Sequence, residues 1–295
     1  MLNYAIVTAA VVMFGVQFLF NKLYGNESGN GMGATFIFSF IGGIIGVIAL
    51  MIINGPQFSA TPFTLVIAML AAVNSIAYTF CSLKAFDRIN LSLYSLFAML
   101  GGMILPFFQG IIFYDEPITV AKAVCVVFVV AALFLCTAKS DRKGGAIYYV
   151  GVFVLNGMSG VLNKIFQSSS FAKTSDAMYS IWGAAIRVLI SAIVIVVMIA
   201  ISKKKHLETL AIKKPNAKAV LYASGCGVLS NIANFLLLIA LAVLPASVQY
   251  PFVTGGVMIV STLISAITGA KPSKKEIISV ALSFIGILAL VLIPI

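Results

Sequence analysis

The chain has 295 residues, of which 61% are hydrophobic and only 9% charged, with a net charge of +11 and a mean hydropathy of +1.12. A water-soluble domain carries about 25% charged residues, so a soluble enzyme or binding module is excluded. The positive excess is not read as a nucleic-acid surface. It fits retention of Lys and Arg on the cytoplasmic side of a membrane.

A spanning helix needs about 20 mainly apolar residues. Ten such segments are predicted: 3–22, 33–53, 62–84, 91–112, 118–138, 146–166, 176–201, 217–241, 245–268 and 275–294. The expected fold is therefore all-α and integral to the membrane, with no segment left for a soluble domain. The first segment lacks a basic leader and a small-residue cleavage site, so it is read as a spanning helix and not a signal peptide.

Taken in chain order, the segments carry polar residues where hydrocarbon penalises them. Segment 1 has Gln17 and Asn21 one turn apart, hence on one face. Segment 2 has the small-residue stripe Gly42, Gly43 and Gly46. Segment 3 has Asn74 and Tyr78, and segment 4 has Gly101 and Gly102. Segment 6 has Asn156, Ser159 and Asn163. Segment 7 places Arg187 about ten residues in, near the midplane, with no acidic residue at the centre of any segment. Segment 8 has Asn231 and Asn234. Segment 9 has Ser247, Gln249, Tyr250, Thr254 and the pair Gly255 and Gly256. The glycines are expected at close helix crossings. Each asparagine taken singly is read as interhelical glue. Together with Gln17 they point to a hydrated central cavity. Arg187 is either a structural arginine or a contact for an anionic substrate group.

The four cysteines, Cys81, Cys125, Cys136 and Cys226, form no CxxC pair and are expected to be small core residues. His206 is expected in a solvated loop. No metal-ligand set or cofactor motif is read, so no cofactor is expected. An intramembrane enzyme would need a nucleophile–base pair or metal cluster in the helices, and neither is read. With no buried glutamate at a segment centre, drug–proton antiport through such a group is not expected.

The chain repeats itself. A shift of 155 positions lays Leu83 on Leu238, Ser92 on Ser247, Phe97 on Phe252, Gly101 on Gly256 and Pro117 on Pro272; a shift of 142 lays Gly15 on Gly157, Asn21 on Asn163 and Lys22 on Lys164. The halves are residues 1–139 and 146–295, each with five predicted helices. Five is odd, so the second half enters the membrane inverted, the arrangement of many carriers. Of the 19 basic residues, only Lys122, Lys164 and Lys173 fall on the loops after segments 2, 4, 6 and 8, and Arg187 is intramembrane. The rest lie on the loops after segments 1, 3, 5, 7 and 9, which are expected to be cytoplasmic, with both termini outside.

The turn Asp115-Glu116-Pro117, its degenerate copy Ala270-Lys271-Pro272, the Asn-Lys pairs ending segments 1 and 6, and Arg187 in the second helix of a repeat resemble the drug/metabolite transporter superfamily, EamA-like branch. The resemblance spans the whole chain. It implies a ten-helix carrier whose cavity is walled by helices 1, 3, 4, 6, 8 and 9, and it implies cytoplasmic termini, against the charge pattern.

The expected function is secondary transport of a small polar, carboxylate-bearing metabolite across the cytoplasmic membrane, in the export direction, by alternating access. The expected partners are a small-molecule substrate and the lipid bilayer. Gln17, Asn74, Tyr78, Asn156, Arg187, Asn231, Asn234 and Tyr250 are the expected contacts. A carrier of a neutral sugar-like metabolite or an organic cation is the alternative within transport, and a channel or intramembrane enzyme the alternative outside it.

Overall fold

A computed structural model describes residues 2–29, 31–55, 57–86, 91–135, 146–205, 214–267 and 274–292. His206, Cys136, the inter-half linker and the Ala270-Lys271-Pro272 turn lie outside the described residues. All regular structure among those described is helical. The elements are α1 (Leu2–Ser28), α2 (Met32–Asn54), α3 (Pro62–Phe86), α4 (Leu91–Phe113), α5 (Val120–Leu135), α6 (Ala146–Ser168), α7 (Asp176–Lys205), α8 (Ala217–Leu241), α9 (Ala246–Ile267) and α10 (Lys274–Leu292). Helices are what an apolar solvent demands, because they satisfy their own backbone N–H and C=O groups.

Seven of these helices are long and apolar enough to cross a membrane: α1, α2, α3, α6, α7, α8 and α9. The remaining three carry shorter apolar stretches, Phe97–Phe113, Val120–Ala132 and Ile277–Ala289. The outer faces are greasy: Ile52, Val66, Val127 and Val196 are all exposed. Apolar surface on this scale is not left to water, and the chain is a multi-pass helical membrane protein.

Helix ends follow local chemistry. Pro62 opens α3, where its missing N–H costs nothing, and the Thr61 hydroxyl accepts from the Thr64 N–H at 3.3 Å. Asn216 caps α8 by accepting from the Ala219 N–H at 2.7 Å. Gly55 ends α2 with φ +71°, a conformation that glycine adopts without steric cost.

Two boundaries differ from expectation. The Asn21-Lys22 pair does not end α1, which runs to Ser28, and Asn21 is buried within it. Lys203, Lys204 and Lys205 belong to the end of α7, not to a loop. At 30 residues, α7 is about 45 Å long and outruns a hydrocarbon core of about 30 Å.

The packing is dominated by contacts between the two halves. α1 lies on α8 and α9, α3 on α6 and α7, α4 on α6 and α9, α2 on α7 and α8, and α5 on α10. Exchanging each helix for the one five places later turns α1–α8 into α6–α3, α4–α6 into α9–α1 and α2–α8 into α7–α3. It leaves α2–α7, α4–α9 and α5–α10 unchanged. α10 breaks the pattern by packing more closely on α9 than α5 does on α4.

Glycine makes the closest crossings possible. A Cβ on Gly101 would collide with the backbone carbonyl of Phe153, and one on Gly157 would sit 2.6 Å from the Gly101 carbonyl, so α4 and α6 touch backbone to backbone. Gly42 and Gly227 do the same for α2 and α8. Without a hydrophobic driving force between helices in lipid, such close packing is a main source of association.

Gly101→Ala should therefore lower the thermal stability of detergent-purified protein, by an overpacking cost of about 1–3 kcal/mol. Gly183→Ala, where an added Cβ meets nothing within 4 Å, should raise stability by about 0.5–1 kcal/mol, the usual helix gain of alanine over glycine. Equal melting temperatures for the two variants would remove the close-crossing account.

Candidate functional site

The cross-packed helices leave a cavity of about 180 Å³ between them, lined from α1, α2, α3, α4, α6, α7, α8 and α9. Six of the eight expected site residues line it: Gln17, Tyr78, Asn156, Arg187, Asn234 and Tyr250. Asn234 is exposed to it although it lies deep within α8. An adjoining cavity between α3, α6, α7 and α8 shares Ser75, Ser159, Asn163, Arg187 and Asn234 with the first. The two spaces meet around Arg187.

Among the described residues, Arg187 is the one side chain in either wall that is charged at neutral pH. Its Nη1 donates to the Ser75 hydroxyl on α3 at 3.1 Å and its Nη2 to Asn231 Oδ1 on α8 at 3.2 Å. Both acceptors are neutral. The ion pair formed among the described residues lies elsewhere. Asn231 is itself oriented by donating to the Gly227 carbonyl at 2.6 Å. It fills the space where a Cβ on Gly46 would stand. At the 142 shift Arg187 falls on Ile45, next to Gly46, so the half without the arginine supplies the room for the residue that holds it. Asn231 lines only the adjoining cavity and acts on Arg187 from behind.

Asn74 is placed differently from expectation. It lines neither cavity. Its amide donates to the Leu155 carbonyl and the Ser159 hydroxyl, both at 2.9 Å, and fastens α3 to α6. A buried amide facing a neighbouring backbone gains more from that carbonyl than from a distant cavity. Asn156 does both: it lines the cavity and donates to the Ala98 carbonyl at 2.6 Å. Tyr250 closes one end of the cavity with its hydroxyl on the Gly160 carbonyl at 3.1 Å.

Several wall residues were not among the expected contacts. Phe14, Phe18 and Phe38 give it apolar faces, and Cys226 meets Asn21 Oδ1 at 3.7 Å. Cys226 is buried, as expected of a small core residue, yet it is also cavity wall. Pro106, inside α4, cannot donate to the carbonyl of Gly102, another wall residue. A proline within an apolar segment was the available signal for an interrupted helix beside a site.

A second polar centre lies one turn beyond the Tyr250 end. After α4 the chain turns back through Asp115, at φ +51°, and the Tyr114 and Glu116 N–H groups both donate to the Gly110 carbonyl. The Glu116 carboxylate, 8% exposed, then pairs with Lys164 Nζ of α6 at 2.8 Å. It also accepts from the Ala246 N–H at 3.0 Å, the Ser247 N–H at 2.9 Å and the Ser247 hydroxyl, all at the start of α9. Free N–H groups and the helix dipole make that start a natural seat for an anion. Gly110 is glycine because a Cβ there would sit 2.6 Å from the carboxylate. Beneath the same turn, the buried Lys122 donates to the Pro117 carbonyl at 2.7 Å. Burial alone would raise the Glu116 carboxyl. Hydrogen bonds from Lys164 and Ser247, with the lysine charge, outweigh it and hold the group below the ordinary carboxylate range.

No family model and no curated protein sequence matches the chain. A solved crystal structure of a protein matches it with a TM-score of 0.70 and 15% sequence identity, over 97% of this chain and 99% of the other. At that identity the likeness shows a shared fold.

A carboxylate held below its ordinary value stabilises the fold above that value, and the contribution is lost as pH falls through the lowered one. Stability of the purified protein should thus hold from pH 7 to about 5 and then fall. Glu116→Gln should be less stable at pH 7, by the ~3–5 kcal/mol typical of a broken buried pair, and should lack this part of the acid loss. Identical acid profiles for the two proteins would remove Glu116 as the group responsible.

Proposed function

We propose that this chain is a secondary transporter of a small, polar, carboxylate-bearing metabolite. The carrying observation is Arg187: a guanidinium in a membrane-embedded cavity, held by two neutral oxygens and lacking a carboxylate partner among the described residues. A charge at this depth costs at least ~2.5–3.5 kcal/mol on insertion scales, and an anionic substrate group would offset that cost. Gln17, Asn156 and Asn234 would bond the polar remainder, while Tyr78, Tyr250 and the phenylalanines would shape it.

The proposed architecture is ten spanning helices in two inverted five-helix halves. The near-invariance of helix packing under exchange of equivalent helices supports this reading, together with the internal sequence match. Such halves, rocking about the close crossings, give alternating access. The EamA-like resemblance, location in the cytoplasmic membrane and an export direction belong to the same proposal. The charge pattern puts the loops after α1, α3, α5, α7 and α9 in the cytoplasm. The basic residues on the opposite side are tied into the fold: Lys164 of α6 pairs with Glu116, Lys122 of α5 binds Pro117, and Lys173 of the α6–α7 loop donates to the last carbonyls of α6.

The alternative carrier of a neutral sugar-like solute draws on one feature: Arg187 already bridges α3 to α8 and could serve as a structural tie.

The test is a thermal-shift screen of purified protein against carboxylates, sugars, nucleotide sugars and organic cations. Ligands that bind the folded state alone raise its stability by about 2.7 kcal/mol at a hundredfold excess over Kd. Carboxylates should stabilise the protein and should fail to do so in folded Arg187→Ala. Stabilisation by neutral sugars that persists in Arg187→Ala would replace the anion reading with the neutral one.

A further inference from the structure

We infer that Glu116 is a gate: its bonds to Lys164 and to the start of α9 hold shut the end of the cavity bearing the α4–α5 loop, an ion pair that the repeat does not copy at the opposite end. The inference rests on the transport reading for its purpose, but its structural content is independent of any substrate.

The closure has two levels. At the cavity wall, the Tyr250 hydroxyl of α9 binds the Gly160 carbonyl of α6. One turn further toward the loops, Lys164 follows Gly160 on α6 and Ser247 precedes Tyr250 on α9. The Glu116 carboxylate lies between them and binds both. The carboxylate belongs to the first half, and both of its partners belong to the second. Separating α6 from α9 at this end would break the Tyr250 bond and one side of the Glu116 bridge, and moving the α4–α5 loop away from both would break the whole bridge. The same end carries a second cross-half tie, the Thr174 N–H of the α6–α7 loop donating to the Thr64 hydroxyl of α3 at 3.0 Å.

The halves are not equal here. Under the repeat, Glu116 corresponds to Lys271, Lys164 to Lys22 and Gly110 to Ser265. Where one end sets an anion against a cation, the sequence gives the other two cations. Lys22 is exposed, whereas Lys164 is buried. Two lysines form no ion pair, so the repeat does not copy this closure; among the described residues the other end is tied by an exposed bond from the Asn216 amide to the Glu27 carboxylate at 2.8 Å. The Glu116 end is then held by a buried, charged, hydrogen-bonded pair that must break for it to open, and the other end relies on exposed contacts that break more readily.

Side-specific labelling tests this. The four cysteines are replaced by alanine, Asn234→Cys places a thiol in the cavity wall, and a membrane-impermeant methanethiosulfonate is applied to either face of sealed vesicles. With Glu116 intact, labelling should proceed from the face bearing the α1–α2 loop and be at least tenfold slower from the face bearing the α4–α5 loop. Glu116→Gln should raise the slow rate at least tenfold. Ser247→Ala, which removes one hydroxyl, should raise it severalfold and serves if Glu116→Gln does not fold. Equal labelling from both faces before mutation would overturn the gate, as would unchanged protection in a folded variant. If the accessibility shifts while the protein with its native cavity residues carries no solute, the gate stands and the transport reading fails. If solute is carried with the accessibility unmoved, the gate fails and transport stands.

Discussion

The cost of placing an unpaired polar group in hydrocarbon governs this molecule at every level. It makes the backbone helical, since no water is available to satisfy an extended chain. It makes glycine the residue at the tightest crossings, where α4 and α6 or α2 and α8 gain contact without side chains between them. It also explains why Asn74 spends its amide on a neighbouring helix. The few charges that remain inside are conspicuous because each must be solvated by the protein.

Two of those charges are solved in opposite ways. Glu116 is over-satisfied: a lysine, two backbone N–H groups and a hydroxyl converge on it. Arg187 is under-compensated: a serine and an asparagine accept from it, and neither carries charge. The first arrangement suits a device that stays closed until something better replaces its bonds. The second suits a site that gains most when a ligand brings an anion. In the proposed carrier the two lie on one path, with Tyr250 between the cavity and the ion pair.

Both features break the symmetry of the repeat. Ile45, beside Gly46, stands where a second arginine would be, and Lys271 where a second gate glutamate would be. In each case one half yields to the other. Gly46 leaves volume for Asn231, which orients Arg187. In the proposed carrier, a duplicated scaffold would supply two similar bundles that rock, and the differences between them a single charged site and a one-sided ion pair.

Much of this could be read from residues alone. Apolar runs of spanning length, the internal match at fixed offsets and the polar residues within the runs need only composition and periodicity. Arg187 stood out because no local feature could neutralise it. Helix ends were less legible: Asn21-Lys22 looks like a terminus, yet α1 continues to Ser28 because the loop end is set by contacts that the local sequence does not carry. The choice between glue and ligand contact for Asn74, Asn156 and Asn231 was not readable, because it depends on which carbonyl or guanidinium the neighbouring helix presents. Glu116 was visible as part of a turn, but its partners come from positions 48, 130 and 131 residues away. The sequence by itself determined the solvent and the helices, since both follow from hydrophobicity and local order. The tertiary structure alone decided which polar groups face a cavity and which face each other, since those pairings are made by distant helices packing together.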